Sequence, residues 1–303
     1  MSQTNRQTIL VYGASGAQGG PVARRLLASG ARVRVLARDA VRAEPWWTAG
    51  VEVVTGDLDD RASLERASDG VDAVFLHLPQ VHDDRLNRFG RNAIDAAAGA
   101  GVKVLVFNSS SIVPDEPTDV PIFERKREIE AHLLASGLPS IRLRPTAYMD
   151  NLLGPWAKPA VVGGVVAHPA ATEARLAWIA QEDMATLSVA ALDRPDLAGR
   201  VFAAAGPESL RGEEVAERFS RAFGRPVRYQ PIPLDVYERQ LGGAVGPDAA
   251  REIVRLYRWE ASKPVGATPM ARTGEEVAAE LRVTLTPLAT WITRQDWNLP
   301  DAA

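Results

Sequence analysis

Cysteine is absent from this 303-residue sequence, and its absence excludes several kinds of chemistry. Without thiols the chain can form no disulfide framework, thiolate nucleophile, zinc ribbon or iron–sulfur cluster. A chain that uses no cysteine is typical of a reducing compartment, so we expect a cytoplasmic protein.

An excess of charge of either sign is also absent, because 35 Lys and Arg balance 38 Asp and Glu to a net charge of -3. Such a balance provides no basic field to collect nucleic acid or anionic lipid, so neither is expected as a partner. The expected partner is a small-molecule substrate, and we expect a monomer or a homodimer.

Long apolar runs are missing as well. The uncharged stretch of residues 159–172 contains two prolines, and both it and the longer uncharged stretch of residues 7–23 are shorter than the about 20 apolar residues of a membrane span. Residues 1–7 are polar and lead directly into a strand-like run, which leaves no room for a signal peptide. We therefore expect no membrane segment.

The remaining composition, 46% hydrophobic and 24% charged, is typical of a folded domain. The first half of the chain alternates between short apolar runs and segments with helical periodicity. Strands are predicted at residues 8–12, 31–37, 51–55, 71–77, 103–108 and 140–144, and helices at 21–29, 61–67, 87–99 and 124–136. Repeated strand–helix units predict an α/β fold with a doubly wound parallel sheet of the Rossmann type.

The pattern changes after Pro145. Proline and glycine become frequent over residues 154–169, and helical periods then dominate at 182–192, 212–223 and 247–257. The sequence therefore predicts a Rossmann domain over residues 1–153 and a smaller α+β substrate lobe over 154–303, from which some segments can return to the Rossmann sheet.

A glycine-rich turn between the first strand and the first helix predicts a phosphate site. Gly13 suits the tight bend, Gly16 lets the backbone approach a pyrophosphate, and Gly19 allows close packing of helix on strand. The spacing departs from the common dinucleotide pattern, and a turn without a ligand stays an alternative. The cofactor contacts expected here are Gly13, Ser15, Gly16, Ala17, Gln18 and Gly19.

Cofactor choice depends on the end of the second strand. Arg38 stands where NAD-binding chains usually carry an acid, and its guanidinium favours a 2′-phosphate, so NADP(H) is expected over NAD(H). Two alternatives stay open: Arg38 could be a solvated residue like Arg32 and Arg34, and Asp39 could serve NAD or cap the next helix.

Several motifs together resemble the NmrA-like branch of the atypical short-chain dehydrogenase/reductases, over nearly the whole chain. They are the glycine turn and residues 33–39, 56–60, 70–75, 137–139, 143–145 and 149–151. The resemblance implies an NAD(P)-binding domain and a lobe that closes over the nicotinamide. It implies that Asp57 and Leu58 lie near the adenine, and that Leu78 and Pro79 lie near a ribose.

The same resemblance assigns the active-site lysine to Lys126, which would hold the nicotinamide ribose hydroxyls. By residue type alone, Lys126 would be an exposed helix lysine. Ile122 stands where the wider superfamily carries its catalytic tyrosine, and a positioned general acid contributes about 10²–10⁴-fold. Acceptors that need little proton donation, such as quinones, extended enones and carbocation-like dyes, are therefore favoured over simple ketones.

Other residues could supply a hydrogen bond in place of the tyrosine. Ser110, between Ser109 and Ser111, is one candidate, although these serines could instead satisfy backbone groups. Tyr148 could instead be a packing residue, and His77 could be a structural histidine. Asn108 and Ser109, at the end of the fifth strand, are expected to contact the cofactor.

No metal site is expected, because His77, His82, His132 and His168 show no ligand spacing. The best-supported function is an NADPH-dependent oxidoreductase of small electrophilic acceptors. Two alternatives stay open: a non-catalytic NADP(H) sensor of the NmrA type, and a non-redox biosynthetic enzyme on the same fold.

Overall fold

The computed structural model describes residues 7–39, 46, 49–81 and 83–299. Its centre is a seven-stranded sheet in the order β10-β6-β5-β4-β1-β2-β3, in which every neighbouring pair is parallel. The strands are β1 Thr8–Val11, β2 Arg32–Ala37, β3 Glu52–Thr55, β4 Ala73–His77, β5 Val104–Asn108, β6 Ser140–Pro145 and β10 Val201–Ala204. The predicted fold class is confirmed, and the six predicted strands each match an observed one to within two residues.

Helices cover both faces of this sheet. They are α1 Gly19–Ala28, α2 Arg61–Ser68, α3 Arg85–Gly99, α4 Pro121–Ala135 and α6 Gln181–Leu192. Alternate residues of β1 point to opposite sides: Ile9 and Val11 pack in a core with α1 and α6, whereas Leu10 packs with α2, α3 and α4. This period of two, with both faces buried, is the reason why the strand reads as a continuous apolar run.

The rest of the chain builds a second core. It contains two small sheets, one of β7 Ala147–Tyr148, β9 Leu176–Ile179 and β11 Ser209–Leu210, the other of β8 Val165–His168 and β12 Arg228–Pro231. The helices here are α5 Lys158–Val162, α7 Gly212–Phe223, α8 Leu234–Val245, α9 Pro247–Ala261 and α11 Leu288–Thr293, whereas α10 Glu275–Leu281 packs in the core of the central sheet. Trp178, Phe219 and Trp291 are buried in this core.

The chain returns to the central sheet after entering the second lobe. Strand β10 pairs with β6, and the first turn of α10 lies close to β10, since Arg200 binds Glu276 (2.7 Å). Helix α6 packs against α1. The division of the chain at residue 153 stays a prediction.

Arg34 differs from the expected solvated residue. Its side chain is only 14% exposed, binds Glu52 (2.9 Å), and donates to the carbonyl oxygens of Ala67 (2.9 Å) and Asp69 (2.6 Å). The C-terminal end of α2 lies beside β2, so it covers this face of the strand. The interpretation of Arg34 as a solvated side chain is therefore wrong, whereas Arg32 is exposed.

Among the described helices, none combines the length and the apolar content that a bilayer span requires.

Candidate functional site

A cleft of about 510 Å³ opens at the carboxyl ends of β1, β4 and β5. This is where ligands bind in open α/β sheets, because the strand order reverses between β1 and β4. The second lobe closes the other side of the cleft with Trp156, Tyr257 and Met270. Both lobes thus contribute to one site.

The glycine turn enters this cleft from β1. Gly13 has a φ of +73°, and its carbonyl accepts a hydrogen bond from the Gly16 N–H (2.9 Å). A Cβ at Gly19 would lie 2.4 Å from the Gly13 oxygen, so the helix could not pack this closely with any other residue. A Cβ at Gly16 would meet only the Gly13 oxygen, at 3.3 Å, and otherwise faces open space.

This open space fits a dinucleotide phosphate. Ser15, Gly16 and Ala17 are exposed, and no side chain caps the N-terminus of α1. A phosphate oxygen could approach the backbone N–H groups here, where the helix dipole favours an anion.

Three more predicted cofactor contacts follow β2 and β3. Arg38 is exposed at the end of β2, next to Asp39, while residues 40–45 lie outside the described part of the chain. After β3, the Asp57 carboxylate accepts the Asp59 N–H (2.9 Å) and the Leu58 carbonyl accepts the Asn92 amide (2.9 Å). These hydrogen bonds fix the loop shape. That Arg38, Asp57 and Leu58 contact the adenosine stays a prediction.

Gln18 connects the first helix with the second lobe. Its Oε1 accepts hydrogen bonds from the Asn108 amide and from the Tyr148 hydroxyl, both at 2.6 Å. Burial raises the pKa of Tyr148, so its hydroxyl is neutral and its proton points to Gln18. Leu78 and Pro79 also line the cleft, just beyond β4.

The three serines after β5 have different roles. Ser109 donates to the carbonyl oxygens of Ser111 (2.6 Å) and Leu143 (3.2 Å), so the structure supports its backbone-satisfying interpretation. Ser110 holds an unfavourable φ of 65°, which the Asn108 side chain stabilises by accepting the Ser110 N–H (2.8 Å). Non-glycine residues in this conformation are concentrated at functional sites.

His77 lies beside Ser110, with 3.2 Å between Nδ1 and the serine Oγ. Burial, followed by the charge of Lys126, lowers the pKa of His77 to about 4. The imidazole is therefore neutral near pH 7, and it can accept the Ser110 hydroxyl proton.

Lys126 is buried, contrary to what its charged neighbours on α4 suggest. Its Nζ donates to Ser111 Oγ (2.7 Å), and Ser111 in turn donates to the Ile112 carbonyl (3.1 Å). Burial lowers the pKa of Lys126 to about 7. An ammonium group has three N–H donors, and Ser111 takes one of them.

The second lobe adds residues that sequence reasoning did not assign to the site. Trp156, Glu252, Ile253, Leu256 and Tyr257 line the cleft, and Ile122 of α4 faces them. The helical period predicts α9, but no local signal tells which helix face meets another lobe. The sequence singles out Ser110 as a candidate hydrogen-bond donor, whereas Ser111, which follows the same strand, is the serine that binds Lys126.

The remaining histidines lie elsewhere. His132 Nε2 contacts Asp95 (2.7 Å), His168 is buried in the second core, and His82 lies outside the described residues. Across the described residues, no group of three or more His, Asp and Glu side chains is arranged to hold a metal ion.

Comparison with known proteins assigns the chain to one family. A model of the NmrA-like family matches residues 5–292. The chain is 38% identical over 247 residues to the (4-alkanoyl-5-oxo-2,5-dihydrofuran-3-yl)methyl phosphate reductase of Streptomyces griseus, with 82% of this chain and 85% of the relative covered. It is 33% identical to the NAD(P)H azoreductase of Xenophilus azovorans, with 82% and 86% covered.

Among solved structures, the triphenylmethane reductase of Citrobacter sp., complexed with NADP(H), has the same fold. It aligns with a TM-score of 0.79 at 22% identity and covers 95% of this chain and 99% of its own. With the family model matched over almost the whole length and relatives above 30% identity, the chain belongs to the NmrA-like family.

Proposed function

We propose that this protein is an NAD(P)H-dependent oxidoreductase that reduces small, flat, electrophilic acceptors. One observation carries this proposal: the cleft joins the open glycine turn and Lys126 to an apolar wall, while the candidate acids are uncharged or already hydrogen-bonded. The named reductase activities of the two relatives agree with it.

The cofactor would lie along the carboxyl edge of the sheet. The turn at Gly16 would hold the pyrophosphate and Arg38 would bind a 2′-phosphate, for which a guanidinium is well suited. Lys126 would use the N–H groups that Ser111 leaves to bind the nicotinamide ribose hydroxyls. Asn108 and Ser109 lie between these two ends.

When bound, a reduced nicotinamide dinucleotide supplies a hydride, so that a quinone plus one solvent proton becomes a hydroquinone and the dinucleotide is oxidised. The protein's own residues position the acceptor and exclude water. Tyr148 donates to Gln18, Ser109 donates to backbone carbonyls, and His77 carries no charge near pH 7. Acceptors whose reduced form needs little proton donation therefore suit this cleft best.

The test compares acceptors in steady-state oxidation of NADPH. The unmodified protein should reduce 1,4-naphthoquinone at least about 100-fold faster than cyclohexanone, because no positioned acid assists alkoxide formation. Ile122→Tyr places a phenol one helical turn from Lys126, and it should raise ketone reduction more than quinone reduction. Ile122→Phe is the matched control, since it adds the ring without the hydroxyl.

Rapid ketone reduction by the unmodified protein would contradict this account, because Ser110, Tyr148 or His77 would then have to act as an acid. Tight NADPH binding without turnover of any acceptor would favour the alternative function, a non-catalytic cofactor sensor.

A further inference from the structure

We infer that Arg127 and Arg144 are positioning residues for cofactor binding. They hold the loop of residues 109–120, here called the serine loop, against α4, and thereby keep Ser111 in contact with Lys126. The inference rests on the proposed function, since it gives the two arginines a part in binding the nicotinamide end of the cofactor. It is carried by the hydrogen bonds that fix the serine loop.

The carbonyl oxygens of the serine loop are bound by side chains. Those of residues 111–116, six in succession, each accept a side-chain hydrogen bond, and two arginines supply four of the six. Arg144 donates to the carbonyl of Val113 (2.8 Å). Arg127 donates to the carbonyls of Pro114 (2.6 Å), Asp115 (2.9 Å) and Glu116. The arginines thus satisfy backbone groups that a strand or a helix would satisfy by pairing.

Arg144 connects three parts of the fold. It belongs to β6 of the central sheet, and its guanidinium forks onto the buried Glu130 carboxylate of α4, with Nε–Oε1 at 3.0 Å and Nη2–Oε2 at 2.6 Å. Its third nitrogen, Nη1, binds the Val113 carbonyl and the Asp115 carboxylate (3.1 Å). Because Glu130 lies one helical turn after Lys126, this one side chain sets the serine loop against the part of α4 that carries the lysine.

Arg127 attaches the next part of the loop to the same helix. It is the neighbour of Lys126 on α4, and its Nε donates to Glu124 (3.3 Å). The Glu124 carboxylate also accepts the N–H and the hydroxyl of Thr118, both at 2.8 Å. The loop is therefore bound to α4 from residue 113 to residue 118, and it must move with that helix.

The two arginines act from outside the cofactor cleft. Residues 109–111 line the cleft, whereas Val113 and Asp115 line a separate cavity of about 550 Å³ together with Arg144. The serine loop thus forms a wall between the two cavities. An effect of Arg144 on a bound cofactor would have to pass through this wall.

The serine end of the loop depends on such support. Ser110 has an unfavourable φ of 65°, and conformations of this kind persist only where the surrounding structure holds them. Ser111 lies two residues before Val113, and its Oγ is 2.7 Å from Lys126 Nζ. A displacement of the loop at Val113 would therefore move the hydroxyl that directs the remaining N–H groups of Lys126 toward the ribose.

Arg144→Lys separates the charge of this residue from its positioning role. A lysine can pair with Glu130, but its single nitrogen lacks the fork that holds a carboxylate and a loop carbonyl at the same time. The serine loop should then lose its contact at Val113 while the buried carboxylate keeps a cation. We expect weaker binding at the nicotinamide end of the cofactor and unchanged binding at the adenosine end.

Calorimetry with two ligands measures this difference. NADPH reaches both ends of the site, whereas 2′,5′-ADP has the adenosine and the 2′-phosphate but no nicotinamide ribose. In Arg144→Lys, the Kd of NADPH should rise at least about tenfold and that of 2′,5′-ADP less than about twofold, because charged hydrogen bonds are weakened at one end only. An equal loss of affinity for both ligands, or no loss for either, would overturn the inference.

Arg142→Lys is the matched control. Arg142 lies on the same strand and contacts the same Glu130 carboxylate (3.5 Å), but it donates to the Gly199 carbonyl (3.0 Å) at the opposite end of β6. Its replacement should lower the melting temperature and leave the ratio of the two dissociation constants unchanged. A change of this ratio as large as that in Arg144→Lys would mean that disturbance around Glu130, and not the loop, affects the cofactor, and it would overturn the assignment.

Arg127→Lys tests the same role from the protein surface, and it replaces the Arg144 variant if that variant does not fold. Its side chain is 26% exposed, so the substitution buries no new charge. Three carbonyl contacts of the loop should be weakened, and the affinity for NADPH should fall relative to that for 2′,5′-ADP. An unchanged ratio in folded Arg127→Lys would overturn the role assigned to Arg127.

Hydrogen exchange separates this inference from the proposed function. Without cofactor, the amides of residues 110–118 should exchange several-fold faster in Arg144→Lys than in the unmodified protein, and no faster in Arg142→Lys. Unchanged exchange in Arg144→Lys would overturn the inference, whether or not the protein is a reductase. If NADPH binds and no quinone is reduced, the proposed function is rejected, and the two dissociation constants still decide whether the arginines position the cofactor site.

Discussion

At the scale of single residues, Lys126 shows most clearly how the fold changes ordinary chemistry. It lies on the buried face of α4 with Phe123, Ile129 and Leu133, although the sequence around it is rich in charge. The fold thus keeps an ammonium group where burial favours its neutral form.

Lys126→Met should stabilise the cofactor-free protein most at low pH. The pKa of Lys126 is about 7 in the folded state, below its unfolded value, so below pH 7 the full cost of burying the charge is present. Between pH 7 and about 10 the folded lysine is neutral and this cost decreases with rising pH. The advantage of the methionine variant, on the order of a few kcal/mol, should shrink over the same range.

Urea unfolding of both proteins from pH 6 to 10 measures this trend. Lys103→Met removes an exposed lysine and should show no comparable change between pH 7 and 10. If the free energies of unfolding of Lys126→Met and the unmodified protein differ by a constant amount across this range, burial does not lower the pKa of Lys126.

Residue types alone do not reveal all of these roles. Lys126 is distinguished only by the family resemblance, because nothing in its local sequence separates it from a solvated lysine. Ser111, Glu252 and Tyr257 become recognisable only when α4, α9 and the serine loop meet at one cleft. Contacts between distant segments leave no periodic signal.

At the scale of elements, the turn between β1 and α1 contains two glycines with separable roles. A Cβ at Gly19 would collide with the Gly13 oxygen at 2.4 Å, whereas a Cβ at Gly16 would meet it at 3.3 Å and extend into the open space. The φ of Gly16 is not in the left-handed region, so a branched residue can adopt its backbone conformation.

Gly16→Val should therefore abolish cofactor binding and leave the fold intact. The valine side chain would occupy the space in which a pyrophosphate must approach the backbone, so calorimetric affinity for NADPH should fall by more than about 100-fold, with little change in melting temperature. Gly19→Ala should instead lower the melting temperature. Unchanged NADPH affinity in folded Gly16→Val would show that the phosphates bind elsewhere.

The strands β1–β6 and the helices beside them were predictable because local patterns determine them, whereas none of the strands β7–β12 was predicted. Helix α4 begins at Pro121, three residues before the predicted start, since proline at the first helical turn needs no N–H partner. Helix α9 continues to Ala261, four residues beyond its predicted end. The apolar face of α7, with Val215 and Phe219, packs in the second core.

At the scale of the whole molecule, the site exists because two cores meet along one sheet edge. The packing on the central sheet positions the glycine turn and His77, Lys126 lies on α4 where this sheet meets the second core, and the second core positions Trp178, His168 and through it Tyr257. The parallel sheet and the family were predictable from the sequence, and both are confirmed. The shape of the cleft wall that α9 forms was not predictable, because it depends on how α9 packs over α4.

The proposed function requires that a hydride pass in this cleft from a bound dinucleotide to a flat acceptor. Its most direct test is a single turnover in which an excess of the protein, loaded with a limiting amount of NADPH, is mixed rapidly with 1,4-naphthoquinone. We expect a protein-dependent loss of nicotinamide absorbance whose rate saturates with quinone concentration and which disappears in Gly16→Val. Tight binding of NADPH with no loss of absorbance beyond that of free cofactor and quinone would contradict it.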